Sequence, residues 1–69
     1  VASSLRDKIA EAVERLPDEF KAVFVLRTYE DMSYAEIAEA LKIESGTVMS
    51  RLSRARARLK EMLKDYLDE

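Results

Sequence analysis

The sequence has no cysteine, no histidine and no tryptophan, and only one glycine and one proline. Without Cys and His it can form no disulfide, no thiolate or imidazole metal site, and no imidazole acid/base couple. No pair of carboxylates falls in an evident pocket either, so neither an enzyme, nor a metal, nor another cofactor is expected. Long apolar runs are missing too. The longest, Ala22-Val23-Phe24-Val25-Leu26, is far too short to span a bilayer. The N-terminus carries no signal-peptide pattern. No membrane partner is expected, and the expected compartment is the cytoplasm. The first residue is Val rather than Met, as expected of a piece of a longer protein.

What is present is helix. The 69 residues make one small domain with a limited core, and strand-type alternation is absent. The first helix opens at Ser3 or Ser4, either of which can cap free backbone N–H groups. Leu5, Ile9, Ala12, Val13 and Leu16 then form one apolar stripe at helical spacing. The charged residues around that stripe mix signs, as on a solvated face. Pro17 ends this helix and suits the start of the next, with Asp18 and Glu19 favourable near a helix N-terminus.

The second helix runs to about Tyr29 and is apolar nearly all round, with Phe20, Ala22, Val23, Phe24, Val25 and Leu26. Such a circumference suits a central helix covered by its neighbours, or a patch left for a partner protein. Part of Phe20, Val23, Phe24, Val25 and Leu26 is expected to stay exposed as an anchor for a partner helix. Asp31 is placed to take a left-handed turn. Ser33-Tyr34-Ala35-Glu36 has the spacing of a capping box. It opens a short third helix, about Tyr34 to Leu41, with Tyr34, Ile37, Ala38 and Leu41 inward. Lys42-Ile43-Glu44 breaks the pattern, and Ser45 is the expected cap of a fourth helix reaching about Tyr66.

Charge separates that fourth helix from the rest. Ser45 to Lys60 holds Arg51, Arg54, Arg56, Arg58 and Lys60 and no acid, whereas residues 1–41 hold five basic and nine acidic side chains. The formal net charge of -2 conceals a phosphate-binding footprint gathered on one element. A merely stabilising surface helix mixes Glu and Lys four apart.

A short helix, a tight turn and a longer helix with a basic outer face make a helix-turn-helix candidate. Ala38 is small where the two helices cross, and Ile43 plugs the gap between them. Val48, Leu52, Ala55, Leu59 and Met62 repeat at four and three and form the buried stripe. Ser50, Arg54 and Ala57 then point outward. Thr47, Arg51 and Arg58 flank one side; Met49, Ser53, Arg56 and Lys60 flank the other. Small or polar residues near the helix start suit entry into a major groove. Cations on both flanks, Arg58 among them, suit the two bordering phosphate strands. Arg54 is the best-placed donor for a bidentate contact with guanine.

Four strings carry a family resemblance: Leu16-Pro17-Asp18-Glu19-Phe20, Val23-Phe24-Val25-Leu26-Arg27, Met32-Ser33-Tyr34-Ala35-Glu36-Ile37-Ala38-Glu39, and Gly46-Thr47-Val48-Met49-Ser50-Arg51-Leu52-Ser53-Arg54-Ala55-Arg56. Together they cover nearly the whole chain, which resembles region 4 of bacterial sigma factors of the extracytoplasmic-function group. The resemblance implies an all-α, compact bundle of four helices containing a helix-turn-helix, residues 1–69 being one such domain of a two-domain sigma factor. It implies binding to the minus-35 promoter element of double-stranded DNA in transcription initiation. It also implies contact with the beta flap of the RNA polymerase core and, in many members, with an anti-sigma factor. By position, Met49, Ser50, Ser53 and Arg54 fall on base-reading sites, and Thr47, Arg51 and Arg56 on backbone-contacting sites. Ser33 and Tyr34, at a helix start, match a phosphate contact. The chain departs from the pattern at Met49, where many relatives have Lys or Arg, at Ser53, which is small, and at Asp31 and Lys42, which replace turn glycines.

Two other functions fit the same residues. One is the output domain of another helix-turn-helix regulator, a type that usually dimerises. The other is a helical protein-interaction module using the second helix and the Leu59/Met62/Leu63/Tyr66/Leu67 end of the fourth.

Overall fold

The computed structural model describes residues 4–67, with side chains up to residue 64. Four helices follow one another: α1 (Leu5–Glu14), α2 (Asp18–Thr28), α3 (Tyr34–Leu41) and α4 (Ser45–Leu67). The long α4 packs against each of the other three, so the fold is a small bundle built around one axis. No strand occurs among the described residues.

Local chemistry sets most boundaries. Ser4 caps α1: its hydroxyl accepts from the Asp7 N–H at 3.2 Å, and the Asp7 carboxylate accepts from the Ser4 N–H at 3.5 Å. The helix stops at Glu14, sooner than the apolar stripe, and the Arg15 and Leu16 N–H groups tighten the last turn by bonding Ala12 and Val13 carbonyls. Pro17 stands outside α2 in an extended conformation, and its carbonyl accepts from the Phe20 and Lys21 N–H groups at 3.0 and 2.9 Å. Asp31 has φ 54° and Lys42 φ 57°. Both turns therefore use the left-handed region that Gly adopts most readily, as the sequence indicates for Asp31.

After α3 the Ile43 N–H reaches back to the Ala38 carbonyl at 2.9 Å and the Lys42 N–H to Glu39 at 3.3 Å. These are the paired bonds that close a helix at a left-handed residue, and the apolar residue after that closure folds back onto the helix. Ile43 accordingly packs, half-buried, against the core. Ser45 is the first helical residue of α4 and not its cap. The Glu44 carbonyl already accepts from the Val48 N–H at 3.1 Å, so the helix begins one position earlier than the serine suggests.

The core has two parts strung along α4. Val23, Ile37, Val48 and Leu52 join α2, α3 and the start of α4. Ala12, Val13, Leu16, Phe20, Phe24, Ala55 and Leu59 join α1, α2 and the middle of α4. Each large aliphatic side chain buried there contributes roughly 1.5–3 kcal/mol.

Two residues expected in apolar stripes lie outside. Leu5, in the first turn of α1, is 44% exposed. Met62 is 40% exposed, and Leu63 packs against the core in its place. On α2, Phe20, Val23 and Phe24 are buried, while Ala22, Val25 and Leu26 are half-buried. The exposed share of this helix is thus narrower than its composition suggests. The Tyr66 and Leu67 side chains, expected on an apolar end of α4, lie outside the described residues.

Candidate nucleic-acid interface

The residues singled out on α4 share one outward surface. With Val48, Leu52, Ala55 and Leu59 turned into the core, the helical repeat leaves Met49, Ser50, Ser53, Arg54, Arg56, Ala57, Arg58 and Lys60 exposed, and Thr47 and Arg51 half-buried at the edge. The first turn of α4 contains no acid, whereas α1, α2 and α3 each carry one or more there. The partial positive charge of a helix N-terminus is met within the first turn of α1, α2 and α3 by a carboxylate; on α4 the nearest acid in the chain is Glu44, immediately before the helix. Gly46 has nothing within 4 Å of where a Cβ would stand, so the surface at the helix start is open.

The two flanks differ. On the side facing α2, the Arg51 guanidinium lies 3.9 Å from the Glu19 carboxylate. The Arg58 guanidinium sits 5.6 Å from the centroid of the Phe20 ring. A shallow concavity between the starts of α2 and α4 is lined by Glu19, Gly46, Thr47, Ser50, Arg51 and Arg54. On the other flank, Met49, Ser53, Arg56 and Lys60 stand in solvent. A half-exposed ion pair of this kind contributes about 0–1 kcal/mol.

Ser33 and Tyr34 sit at the start of α3. The Ser33 N–H donates to the Glu36 carboxylate at 2.7 Å, and the Ser33 hydroxyl accepts from the Glu36 N–H at 3.1 Å. These bonds, the backbone one first, hold the Glu36 carboxyl below the ordinary carboxylate range. The Ser33 N–H is thus engaged internally, and the donors at this helix start without an intrahelical partner are those of Tyr34 and Ala35. Tyr34 is half-buried, with the Arg27 guanidinium 5.3 Å from its ring centroid.

Arg27 and Glu19 escape a reading of the sequence. Arg27 also donates from Nη1 to the Met32 carbonyl at 2.9 Å. It ties the end of α2 to the connection that launches α3 and so fixes the start of the helix-turn-helix. Its only sequence signal is a cation in the last turn of a helix, favourable for the dipole alone. Glu19 reads as an ordinary first-turn acid, and its partner lies on another helix.

Apolar surface persists away from the cationic face. Ala22, Val25, Leu26 and Leu41, edged by Asp18 and Lys21, line a shallow groove on the α2 and α3 side. No helix among the described residues is long and apolar enough to cross a membrane.

The family model of sigma-70, region 4 matches residues 6–59. The chain is 37% identical over 65 residues to the ECF RNA polymerase sigma factor SigW of Bacillus subtilis (strain 168), covering 94% of this chain and 35% of that protein. It is 39% identical over 67 residues to the ECF RNA polymerase sigma factor SigE of Mycolicibacterium smegmatis, covering 97% of this chain and 26% of that protein. It is 45% identical over 58 residues to an RNA polymerase sigma-E factor of Streptomyces antibioticus, covering 84% and 32% respectively. The chain therefore spans between 26% and 35% of the length of these relatives. The resemblance to the extracytoplasmic-function group, carried by the four sequence strings, is borne out in these names. On a match that spans all of α2 and α3 and most of α1 and α4, the chain belongs to the sigma-70 region 4 family.

Proposed function

We propose that this chain is the promoter-recognition domain of an extracytoplasmic-function sigma factor. Residues 1–69 form one region 4 domain whose α4 enters the major groove of the minus-35 element and directs RNA polymerase to a promoter in transcription initiation. One observation carries the reading. The exposed start of α4 is acid-free and, apart from Met49, built of small or polar side chains, flanked on both sides by cations, in a chain of the sigma-70 region 4 family. Met49, Ser50, Ser53 and Arg54 face base edges in this arrangement. Thr47, Arg51, Arg56 and Arg58, with Ser33 and Tyr34 at the start of α3, meet the phosphate backbone. The domain acts by binding, without catalysis, in the cytoplasm.

The shallow groove at Val25, Leu26 and Leu41 is the surface proposed for the polymerase beta flap or an anti-sigma factor, since Phe20, Val23 and Phe24 are buried. Selection of sites from random DNA duplexes tests the function. A single short site bound by a monomer is expected. Two half-sites bound by a dimer would point to the output domain of another helix-turn-helix regulator. No duplex bound at any salt concentration would point to a protein-interaction module.

A further inference from the structure

Among the described residues four large apolar side chains stand well exposed: Leu5, Tyr29, Met49 and Met62. Met49, at 55% exposure, is the one that lies within the acid-free stretch Ser45 to Lys60. A single exposed apolar side chain on a protein surface ordinarily needs no explanation. The setting of Met49 is unusual. Its neighbours four residues away on the helix surface are Ser45 and Ser53, both small. Gly46, three residues before it, has open space where a Cβ would stand. The thioether therefore stands exposed among small neighbours, on a face otherwise made of small, polar and cationic side chains.

The chemistry of that side chain narrows what it can recognise. A thioether sulfur is a weak acceptor and has no donor, so it cannot make the hydrogen-bonded readout available to Arg, Asn or Gln. It is flexible and polarizable and suits an apolar contact. In the major groove one base edge offers an apolar group, the C5-methyl of thymine. We propose that Met49 reads a thymine methyl, fixing one A·T pair beneath the first turns of α4. The inference rests on the reading that α4 enters the major groove and adds a preference at one base position.

Deoxyuridine provides the test, because it differs from thymine only in lacking that methyl. In a duplex carrying the selected site, each thymine is replaced in turn by deoxyuridine. At one position the replacement should weaken binding by the parent chain about three- to five-fold, the worth of one methyl group withdrawn from apolar contact. Met49→Ala should bind thymine and deoxyuridine alike at that position and keep the parent's behaviour at all others. Met49→Leu should retain the distinction, and Met49→Arg should move the preference toward guanine. An exposed side chain should be removable without loss of fold, which thermal melting of Met49→Ala checks. A parent chain indifferent to every deoxyuridine would overturn the proposal. So would a Met49→Ala variant with the parent's thymine-to-deoxyuridine ratio. Either result with salt-sensitive duplex binding intact leaves the major-groove reading standing; loss of all duplex binding by the parent overturns both.

Discussion

The two core clusters of this small bundle differ in how completely their large side chains are buried. Where α2, α3 and the start of α4 meet, Val23, Ile37 and Val48 are 0% exposed and Leu52 1%. Where α1 and α2 meet the middle of α4, exposures range up to 9% at Phe24. The two capping boxes differ in the same sense. Glu36 reaches the Ser33 N–H at 2.7 Å, but the shorter Asp7 carboxylate reaches the Ser4 N–H only at 3.5 Å. The tighter half presents the first turns of α4. Base-edge recognition tolerates misplacement of only roughly 0.5 Å in the groups that perform it. The more fully buried cluster thus lies under the surface proposed to read base edges, and α1 packs on the other one.

The largest test of this contrast is in the core. Leu52→Ala should cost ~2–5 kcal/mol, comparable with the whole stability of a domain this size. Leu59→Ala, in the looser half, should cost roughly 2 kcal/mol, at the lower end of that range. Urea or thermal unfolding of the two variants measures both. Equal losses would erase the difference between the halves, and an unchanged Leu52→Ala would show that α4 is misphased.

On the DNA face, Arg54→Ala should cost ~1–3 kcal/mol of binding and relax preference at one base position. Arg56→Ala should weaken all sequences alike, because it faces a phosphate strand in the proposed arrangement. Binding of the selected site and of a scrambled duplex separates the two. The same uniform loss from both variants would refute the division between reading and holding.

The caps give a smaller effect. Ser33→Ala should lower stability by about 1 kcal/mol and Ser4→Ala by about half that. The lowered Glu36 pKa also predicts a pH effect. A carboxyl with a depressed folded-state pKa contributes stability that is fully present above its unfolded value, near 4.5. That contribution is lost as pH falls through the folded value. Acid unfolding of Glu36→Gln should lack this increment, and identical acid profiles would show that the α3 box contributes nothing.

The smallest effect concerns Glu19. Glu19→Gln frees Arg51 from a half-exposed carboxylate 3.9 Å away, and should alter stability by about 1 kcal/mol at most. It should raise duplex affinity at low salt, because it removes a negative charge beside the proposed phosphate path. A fall in affinity would mean that Glu19 positions Arg51 productively.

Much of this contrast is legible along the chain, because it depends on local chemistry. The serine caps at α1 and α3, the left-handed Asp31 and the stripe Val48, Leu52, Ala55 and Leu59 each follow from residues within a turn or two of one another. So does the cationic outer face of α4, once charge is counted by segment. Features that depend on a distant element are not legible. Met62 and Leu63 lie at similar angles to the stripe of α4, and the position of the other helices decides that Leu63 packs. Leu5 fits its helical stripe but stays 44% exposed. Ser45 looks like a cap, yet the Glu44 carbonyl already closes the first turn. Arg27 over Tyr34 and Glu19 beside Arg51 join separate helices, so no periodicity reveals them.

The central claim is that the outward face of α4 binds DNA phosphates and base edges. The salt dependence of duplex affinity tests it most directly. With about four to six phosphates neutralised, a plot of log affinity against log salt concentration should fall with a slope near -4 to -5. A slope near zero would contradict the claim and leave the arginines of α4 as a solvated surface.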